Sequence, residues 1–264
     1  MMELLRAEEI TARLKTKRLG KNVHVFPEIG STNTQAMQMA TKGAVEGTLL
    51  IAETQIGGKG RLGRKWFSPP GVNLYLSLIL RPPIGCAQAT ILTLLTGIAV
   101  AHAIREKSDL TAYLKWPNDV LISEKKVAGI LAELAADGQA IKHVVLGIGL
   151  NVNSEASMFP PELSKIATSL KIESGQTVSR LEMLETLVNQ FEGWYTVFLD
   201  QGPTPILKEY SRLSRTLGRR IQVVCHDKVL EGEAVGMAPN GGIVLREENG
   251  TTITILTGDV IHLR

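Results

Sequence analysis

Gly57-Gly58-Lys59-Gly60-Arg61-Leu62-Gly63-Arg64-Lys65-Trp66 comes one residue after Thr48–Gln55, an apolar stretch that reads as a strand. Gly58, Gly60 and Gly63 satisfy the G-x-G-x-x-G pattern of dinucleotide-binding folds, but two further requirements of that fold fail. Its loop must open a helix, whereas here Phe67-Ser68-Pro69-Pro70 comes next. It also needs an acidic residue about 20 positions on for the ribose. No Asp or Glu occurs between Glu53 and Glu106. The P-loop pattern fails too, because Gly63 is followed by Arg64-Lys65 and not by Lys-Ser or Lys-Thr. What remains is Lys59, Arg61, Arg64 and Lys65 in a flexible loop with no acid nearby in sequence. Like charges gathered this way are unfavourable unless solvent or an anion compensates them. Glycines let a backbone approach a ligand, arginines fork around phosphate oxygens, and Trp66 offers a flat face to a ring. A solvated basic loop is the plain alternative. The missing acids and the adjacent tryptophan favour a polyphosphate ligand.

Downstream, Lys115-Trp116-Pro117-Asn118-Asp119 sits where a strand breaks. Ala112, Leu114 and Trp116 alternate with Tyr113 and Lys115, so Lys115 should point away from the packed face. A lysine at a strand end is held more firmly than one on a loop tip, although a snorkelling surface lysine would read the same way. Two further runs, Val127–Glu133 and Gly147–Asn153, carry glycines inside strand-like sequence. Such glycines mark close approach of a ligand or of another backbone, or else a bulge.

Around these motifs the chain reads as an α/β unit to about residue 217, then a small all-β unit. Residues 3–19 read as a helix stopped by Gly20, and Val23–Ile29 as a strand. Ser31 can cap a helix running to Gly43, and Asn73–Leu80 alternates as a strand. Ala87–Ile104 is a core helix, with strands expected at Ala112–Trp116, Lys126–Leu134 and Ile141–Val152. Ser179 and Glu182 form a capping box for a helix reaching Leu199, and a second helix covers Ile206–Leu213. After Gly218, Asn240-Gly241 and Asn249-Gly250 are strong hairpin signals, which suggests a small SH3-like barrel.

Composition excludes several classes. A net charge of +3 over 264 residues is too small for a generally nucleic-acid-binding surface, so functional positive charge must be local. Cys86 and Cys225 belong to no paired-cysteine motif, which argues against a disulfide framework or zinc site and for a reducing cytoplasm. The N-terminus lacks a signal-peptide run. Ala87–Ile104 contains Gln88, threonines and His102, which fits a core helix better than a membrane span. No Ser-His-Asp or Cys-His arrangement is evident among the scattered histidines.

Taken in order, Ser31-Thr32-Asn33, Gln55, the Gly58–Trp66 loop, Lys115-Trp116-Pro117-Asn118-Asp119 and Gly147–Asn153 resemble the biotin protein ligase family over nearly the whole chain. The resemblance implies an α+β fold: a class II aminoacyl-tRNA synthetase-like mixed sheet flanked by helices over residues 1–217, then an SH3-like β domain over 218–264. It implies biotin contacts at Ser31, Thr32, Asn33, Gln55, Gly58, Lys59, Gly60, Arg61, Lys115 and Gly129. ATP or adenylate contacts would fall at Lys59, Arg61, Arg64, Trp66, Lys115, Asn118 and Asn151, with Lys115 and Arg61 as catalytic residues. The family loop usually reads Gly-Arg-Gly-Arg where this chain has Gly-Lys-Gly-Arg, so Lys59 keeps the charge but loses the fork. Many bacterial members carry a DNA-binding module ahead of the catalytic domain. Ser31 lies too near the N-terminus for one here, so no operator binding is expected.

The implied reaction joins biotin to ATP, giving biotinyl-5′-adenylate, and then transfers biotin to a carrier lysine. Mg²⁺ would bridge ATP oxygens with few or no protein ligands. The basic loop would act as a lid over the reactive acyl phosphate. The implied partner is the biotin carboxyl carrier domain of a carboxylase such as acetyl-CoA carboxylase, with a homodimer left open. No nucleic-acid or membrane partner is expected. A lipoate or octanoate ligase is the nearest rival; it would want an apolar tunnel in place of polar groups around a ureido ring. A nucleic-acid-binding module is the rival from another class, and +3 with 5% aromatic residues makes it weak.

Overall fold

The computed structural model describes residues 4–225 and 228–263. Elements occur in the order α1 (Ala7–Arg13), β1 (Val23–Phe26), α2 (Thr32–Thr41), β2 (Leu49–Ala52), β3 (Leu74–Leu80), α3 (Ala89–Ser108), β4 (Tyr113–Lys115), β5 (Asp119–Ile122), β6 (Lys125–Asp137) and β7 (Ala140–Leu150). Then come α4 (Pro161–Ser164), α5 (Leu170–Ser174), α6 (Arg180–Gln201) and α7 (Thr204–Leu213). The chain closes with β8 (Arg220–Cys225), β9 (Lys228–Met237), β10 (Ile243–Arg246), β11 (Thr252–Ile255) and β12 (Asp259–His262).

The first seven strands make one mixed sheet in the order β1-β2-β3-β7-β6-β5-β4. Only β1 and β2 run parallel, and the other neighbours are antiparallel. Alternation along the central strands divides the layers. Leu49, Ile51, Leu76, Leu78, Leu146 and Ile148 face a core shared with α3, α6 and α7. Leu50, Ile79 and Val145, one residue out of phase, pack against Ala36 and Ala40 of α2 on the opposite face. Each fully buried leucine or isoleucine contributes roughly 1.5–3 kcal/mol, so the face a strand residue occupies is strongly specified. The apolar helix α3 is long enough to cross a membrane by composition, but here it is largely buried and packs against α6 and α7.

The last five strands form a separate antiparallel sheet, β11-β10-β9-β8-β12. Gly241 and Gly250 adopt φ of +83° and +84° at its two Asn-Gly turns, as the hairpin signals required. This sheet is fastened to the β4–β5 region. Arg215 N–H donates to the Leu114 carbonyl at 2.8 Å, Trp116 N–H to Thr216 Oγ1 at 3.1 Å, and Trp116 Nε1 to the Gly241 carbonyl at 3.1 Å.

Three local expectations change. The first helix covers only Ala7–Arg13, and the expected start at residue 3 lies outside the described residues. It stops short of Gly20 because α6 side chains take the following amides: Asn189 accepts from Lys15 at 3.3 Å, and Glu192 from Lys17, Arg18 and Leu19 at 2.5–2.9 Å. The strand expected over Val23–Ile29 ends at Phe26, although Ile29 still bridges Gln55 in parallel. Asp119–Ile122, where the sequence reading placed no strand, is a strand paired on both sides.

Candidate functional site

A cleft of about 260 Å³ opens on the α2 face of the mixed sheet. One wall is polar and begins at the N-terminus of α2, where the Ser31 hydroxyl caps the helix by accepting from Thr34 N–H. Thr32 N–H donates to Gln55 Oε1 at 2.9 Å, and Gln55 Nε2 donates to Ser68 Oγ at 3.3 Å. Asn33 Nδ2 donates to Glu133 Oε2 at 2.8 Å, and its Oδ1 accepts from Ser77 Oγ at 2.6 Å. Gly147 makes room for this amide, since a Cβ there would lie 2.1 Å from Asn33 Oδ1.

The floor comes from β6 and β7, where Gly129 and Gly149 are paired directly opposite one another. The Trp66 indole lies over both. A Cβ on Gly149 would sit 2.3 Å from its Cε2, and one on Gly129 2.8 Å from its Cζ3. Close approach, and not a bulge, therefore accounts for these two glycines. Trp66 Nε1 is buried without a hydrogen-bond partner. Lys126 Nζ stands 5.4 Å from the centroid of the same ring and 2.5 Å from Asp119 Oδ1.

The loop roofs the cleft, and here one sequence reading is corrected. Its four cations are not all without acids, because the C-terminal sheet brings Asp259 to them. Arg64 Nη2 reaches both Asp259 carboxylate oxygens at 2.7 Å, and Arg61 Nη1 stands 3.7 Å from Oδ1. Arg61 also donates to the Gly258 carbonyl and Thr257 Oγ1 at 3.3 Å, and to Asn118 Oδ1 at 3.1 Å. Burial lowers the Arg61 pKa from its ordinary value while Asp259 and Asp119 act in the opposite sense. Among the described residues Lys59, Lys65 and Lys115 make no ion pair.

Lys115 ends β4 and lines the cleft, while Leu114 and Trp116 on either side are buried, as the alternation required. The peptide bond from Trp116 to Pro117 is cis. Behind this strand, His262 Nε2 lies 3.3 Å from Thr216 Oγ1, and its Nδ1 lies 3.4 Å from Arg219 Nη1. A guanidinium can only donate, so Nδ1 accepts and Nε2 carries the proton. Burial, reinforced by Lys115 and Arg219, holds the His262 pKa down to about 4.

Of the residues singled out from sequence, Ser31, Thr32, Asn33, Gln55, Lys59, Gly60, Arg61, Arg64, Trp66, Lys115, Asn118, Gly129 and Asn151 all line this one cleft. Gly58 does not; it is packed behind the loop, where a Cβ would lie 2.7 Å from the Trp66 carbonyl. Asn118 and Asn151 already spend their amides on the protein, donating to the carbonyls of Ile130 and Thr168 at 2.9 Å. Sequence reasoning missed Lys126, Asp119 as a charged wall residue, and Asp259. Strict alternation would put Lys126, three residues before Gly129, on the opposite face; the irregular pairing of β6 with β5 between Lys126 and Ala128 goes with its place in the cleft, and no local sequence pattern signals that. Asp259 gave no signal either, being brought in only by the packing of the second sheet.

Residues 25–151 match the model of the biotin/lipoate A/B protein ligase family, and residues 216–263 match that of the biotin protein ligase C-terminal domain. The chain is 35% identical to a bifunctional ligase/repressor of Bacillus spizizenii, across 93% of this chain and 76% of that protein. It is 33% identical to a biotin--[acetyl-CoA-carboxylase] ligase of Mycobacterium tuberculosis, across 92% of this chain and 90% of that one. In structure it resembles a biotin protein ligase from Aquifex aeolicus solved with biotin and ATP, with TM-score 0.79 and 31% identity over 92% of this chain and 99% of that chain.

Proposed function

The chain belongs to the biotin protein ligase family, and we propose on that premise how its cleft divides the chemistry. The enzyme uses ATP to adenylate biotin and then transfers biotin to a protein lysine. In the first step a biotin carboxylate oxygen bonds to the α-phosphorus of ATP. The bond from that phosphorus to the bridging oxygen breaks, and pyrophosphate leaves. In the second, the lysine amine attacks the acyl carbon, the acyl–oxygen bond breaks, and AMP leaves as the amine loses its proton. Neither step needs a protein nucleophile, so catalysis is positioning and charge stabilisation.

One observation carries this reading: the polar wall of Thr32, Asn33 and Gln55 and the cations Arg61, Lys115 and Lys126 line the same cleft. The wall suits a ureido ring, which offers one carbonyl and two N–H groups. The cations suit the opposite end, where a carboxylate must meet a phosphate against their mutual repulsion. Trp66, flat over Gly129 and Gly149, bounds the nucleotide side. Lys126 joins Lys115 and Arg61 as a charge-stabilising residue.

Mg²⁺ enters with ATP as part of the substrate. The residues present do not form a site of its own. The cleft's carboxylates, Asp119 and Asp259, are already paired with Lys126 and with Arg64 and Arg61. No cluster of three or more His, Cys, Asp or Glu exists among the described residues.

The acceptor in this proposal is a lysine of a biotin carboxyl carrier domain such as that of acetyl-CoA carboxylase, in line with the activity named for the mycobacterial relative. Residues 1–217 form the synthetase-like catalytic part and 218–264 the SH3-like part, and Asp259 is where the second contributes a carboxylate to the cleft. A single subunit supplies every group named. A reducing, cytoplasmic setting belongs to the same proposal and is supported by the two free thiols, Cys86 and Cys225.

The test is biotin-dependent exchange of labelled pyrophosphate into ATP, with lipoate and octanoate in parallel and Lys115→Ala as the blank. Exchange with biotin alone, lost in the variant, is expected. Exchange with lipoate in its place would transfer the cleft to the rival substrate.

A further inference from the structure

The polar wall is part of a longer hydrogen-bonded chain whose direction is fixed from one end. Glu133, on β6, presents a carboxylate oxygen 2.8 Å from Asn33 Nδ2, and the Leu131 carbonyl lies 3.3 Å from the same atom. Both partners can only accept, so the Asn33 amide has one permitted orientation, with Oδ1 turned toward Ser77. Ser77 is fully buried on β3 and stands 2.6 Å from Asn33 Oδ1 and 2.8 Å from Thr32 Oγ1. A hydroxyl carries one proton. At 2.6 Å from an amide oxygen, Ser77 must donate there, because two lone pairs facing at that distance repel. The 2.8 Å contact with Thr32 then needs a proton of its own, and only the Thr32 hydroxyl can supply it. Gln55 Oε1, which accepts the Thr32 amide at 2.9 Å, lies farther from Thr32 Oγ1, at 3.2 Å, so the 2.8 Å contact with Ser77 holds the Thr32 proton.

We propose that Glu133 and Ser77 are specificity-determining positioning residues: through Asn33 they commit the Thr32 proton inward, so Thr32 Oγ1 meets the ligand as an acceptor only. This rests on the placement of biotin's ring against the Thr32 wall. The polarity then selects a ring that brings an N–H to Thr32. It rejects one bringing an oxygen or sulfur there, as the dithiolane of lipoate does. A site that hydrogen-bonds a ring N–H discriminates through the buried group left unpaired when that N–H is absent. Gly147 belongs to the same device, since a side chain there would displace Asn33 and break the chain at its centre.

The experiment compares biotin with the two cyclic carbamates in which one ring N–H is replaced by oxygen, using pyrophosphate exchange by the full chain. The wild type is expected to disfavour one carbamate on the order of a hundredfold in kcat/KM, almost wholly through KM. Ser77→Ala frees the Thr32 hydroxyl to turn and donate, so that ratio should fall at least about tenfold while kcat with biotin stays close to wild type. Glu133→Leu, at a partly exposed position, should lower the ratio about threefold, because the Leu131 carbonyl still orients Asn33. A Ser77→Ala protein that loses both substrates in parallel, with the ratio unchanged, would overturn the proposal. So would a wild type that accepts both carbamates as readily as biotin. If Ser77→Ala fails to fold, the Glu133→Leu ratio decides alone. Absence of any biotin-dependent exchange in the wild type would remove the parent reading, and that result is distinct from exchange with an unaltered ratio.

Discussion

Arg64 Nη2 lies 2.7 Å from both carboxylate oxygens of Asp259, 195 residues further along the chain. The loop that roofs the cleft is therefore tied to the second sheet. Arg61 strengthens the tie through the carbonyl of Gly258 and the hydroxyl of Thr257. Asp259→Ala should release the loop. Trypsin is expected to cut at Arg61, Arg64 or Lys65 several times faster in the ligand-free variant, with little change in Tm. An exposed pair of this kind contributes only about 0–1 kcal/mol to stability. High salt should loosen the wild-type loop in the same direction. Equal cleavage of the two proteins would show that the tie does not hold the loop.

Lys126 was found only by packing, and its role is open to direct measurement. Lys126→Ala and Lys115→Ala should each cut biotin-dependent pyrophosphate exchange about 10²–10³-fold, the size seen when one donor to a developing charge is lost. Thermal unfolding should barely move, since both side chains are partly exposed. Unimpaired exchange in Lys126→Ala would confine that lysine to holding Asp119.

Gly149→Ala tests the contact that shapes the floor. Its Cβ would lie 2.3 Å from Trp66 Cε2, so the indole must move. Overpacking of this type costs about 1–3 kcal/mol. We expect a lower Tm and a raised KM for ATP. In a Trp66→Ala background the same substitution should cost almost nothing further in stability, a coupling that a double-mutant cycle reads directly. Additive effects would place the strain elsewhere.

His262 gives the acid limb of stability a specific origin. Its pKa is held down to about 4, first by burial and then by Lys115 and Arg219, so the folded protein prefers it neutral. A histidine with an unfolded pKa near 6.5 binds its proton more readily in the unfolded chain. Its contribution is therefore complete above about pH 6.5 and is lost as pH falls from there toward 4. Tm is expected to drop across that window, and His262→Gln should flatten the drop. An unchanged acid limb in the variant would assign it to other groups.

Much of the fold was legible because it rests on short-range signals. Ser179 with Glu182 marked the start of α6, and the Ser179 hydroxyl does accept from Glu182 N–H. Asn240-Gly241 and Asn249-Gly250 marked two hairpins, since a left-handed turn needs residues that tolerate positive φ. The alternation of Leu114, Lys115 and Trp116 placed Lys115 in the cleft because strand periodicity is fixed at two. The first helix was misjudged for the converse reason. Its sequence favours a longer helix, but Glu192 of a distant helix offers the backbone better partners after residue 14.

By itself, then, the sequence determined which residue types could serve a polyphosphate and a polar ring, and in what order they occur. Arg64-Lys65 and Phe67-Ser68-Pro69-Pro70, coming after Gly63, excluded the standard P-loop and dinucleotide folds, because those folds are defined by local geometry. Only the tertiary structure decided which charges stay unpaired and which way each hydroxyl points. Asp259 reaches Arg64 across 195 residues, and Glu133 sets the Asn33 amide across 100. Electrostatic and hydrogen-bond partners are chosen by distance in space, and sheet packing, which no local pattern encodes, sets that distance.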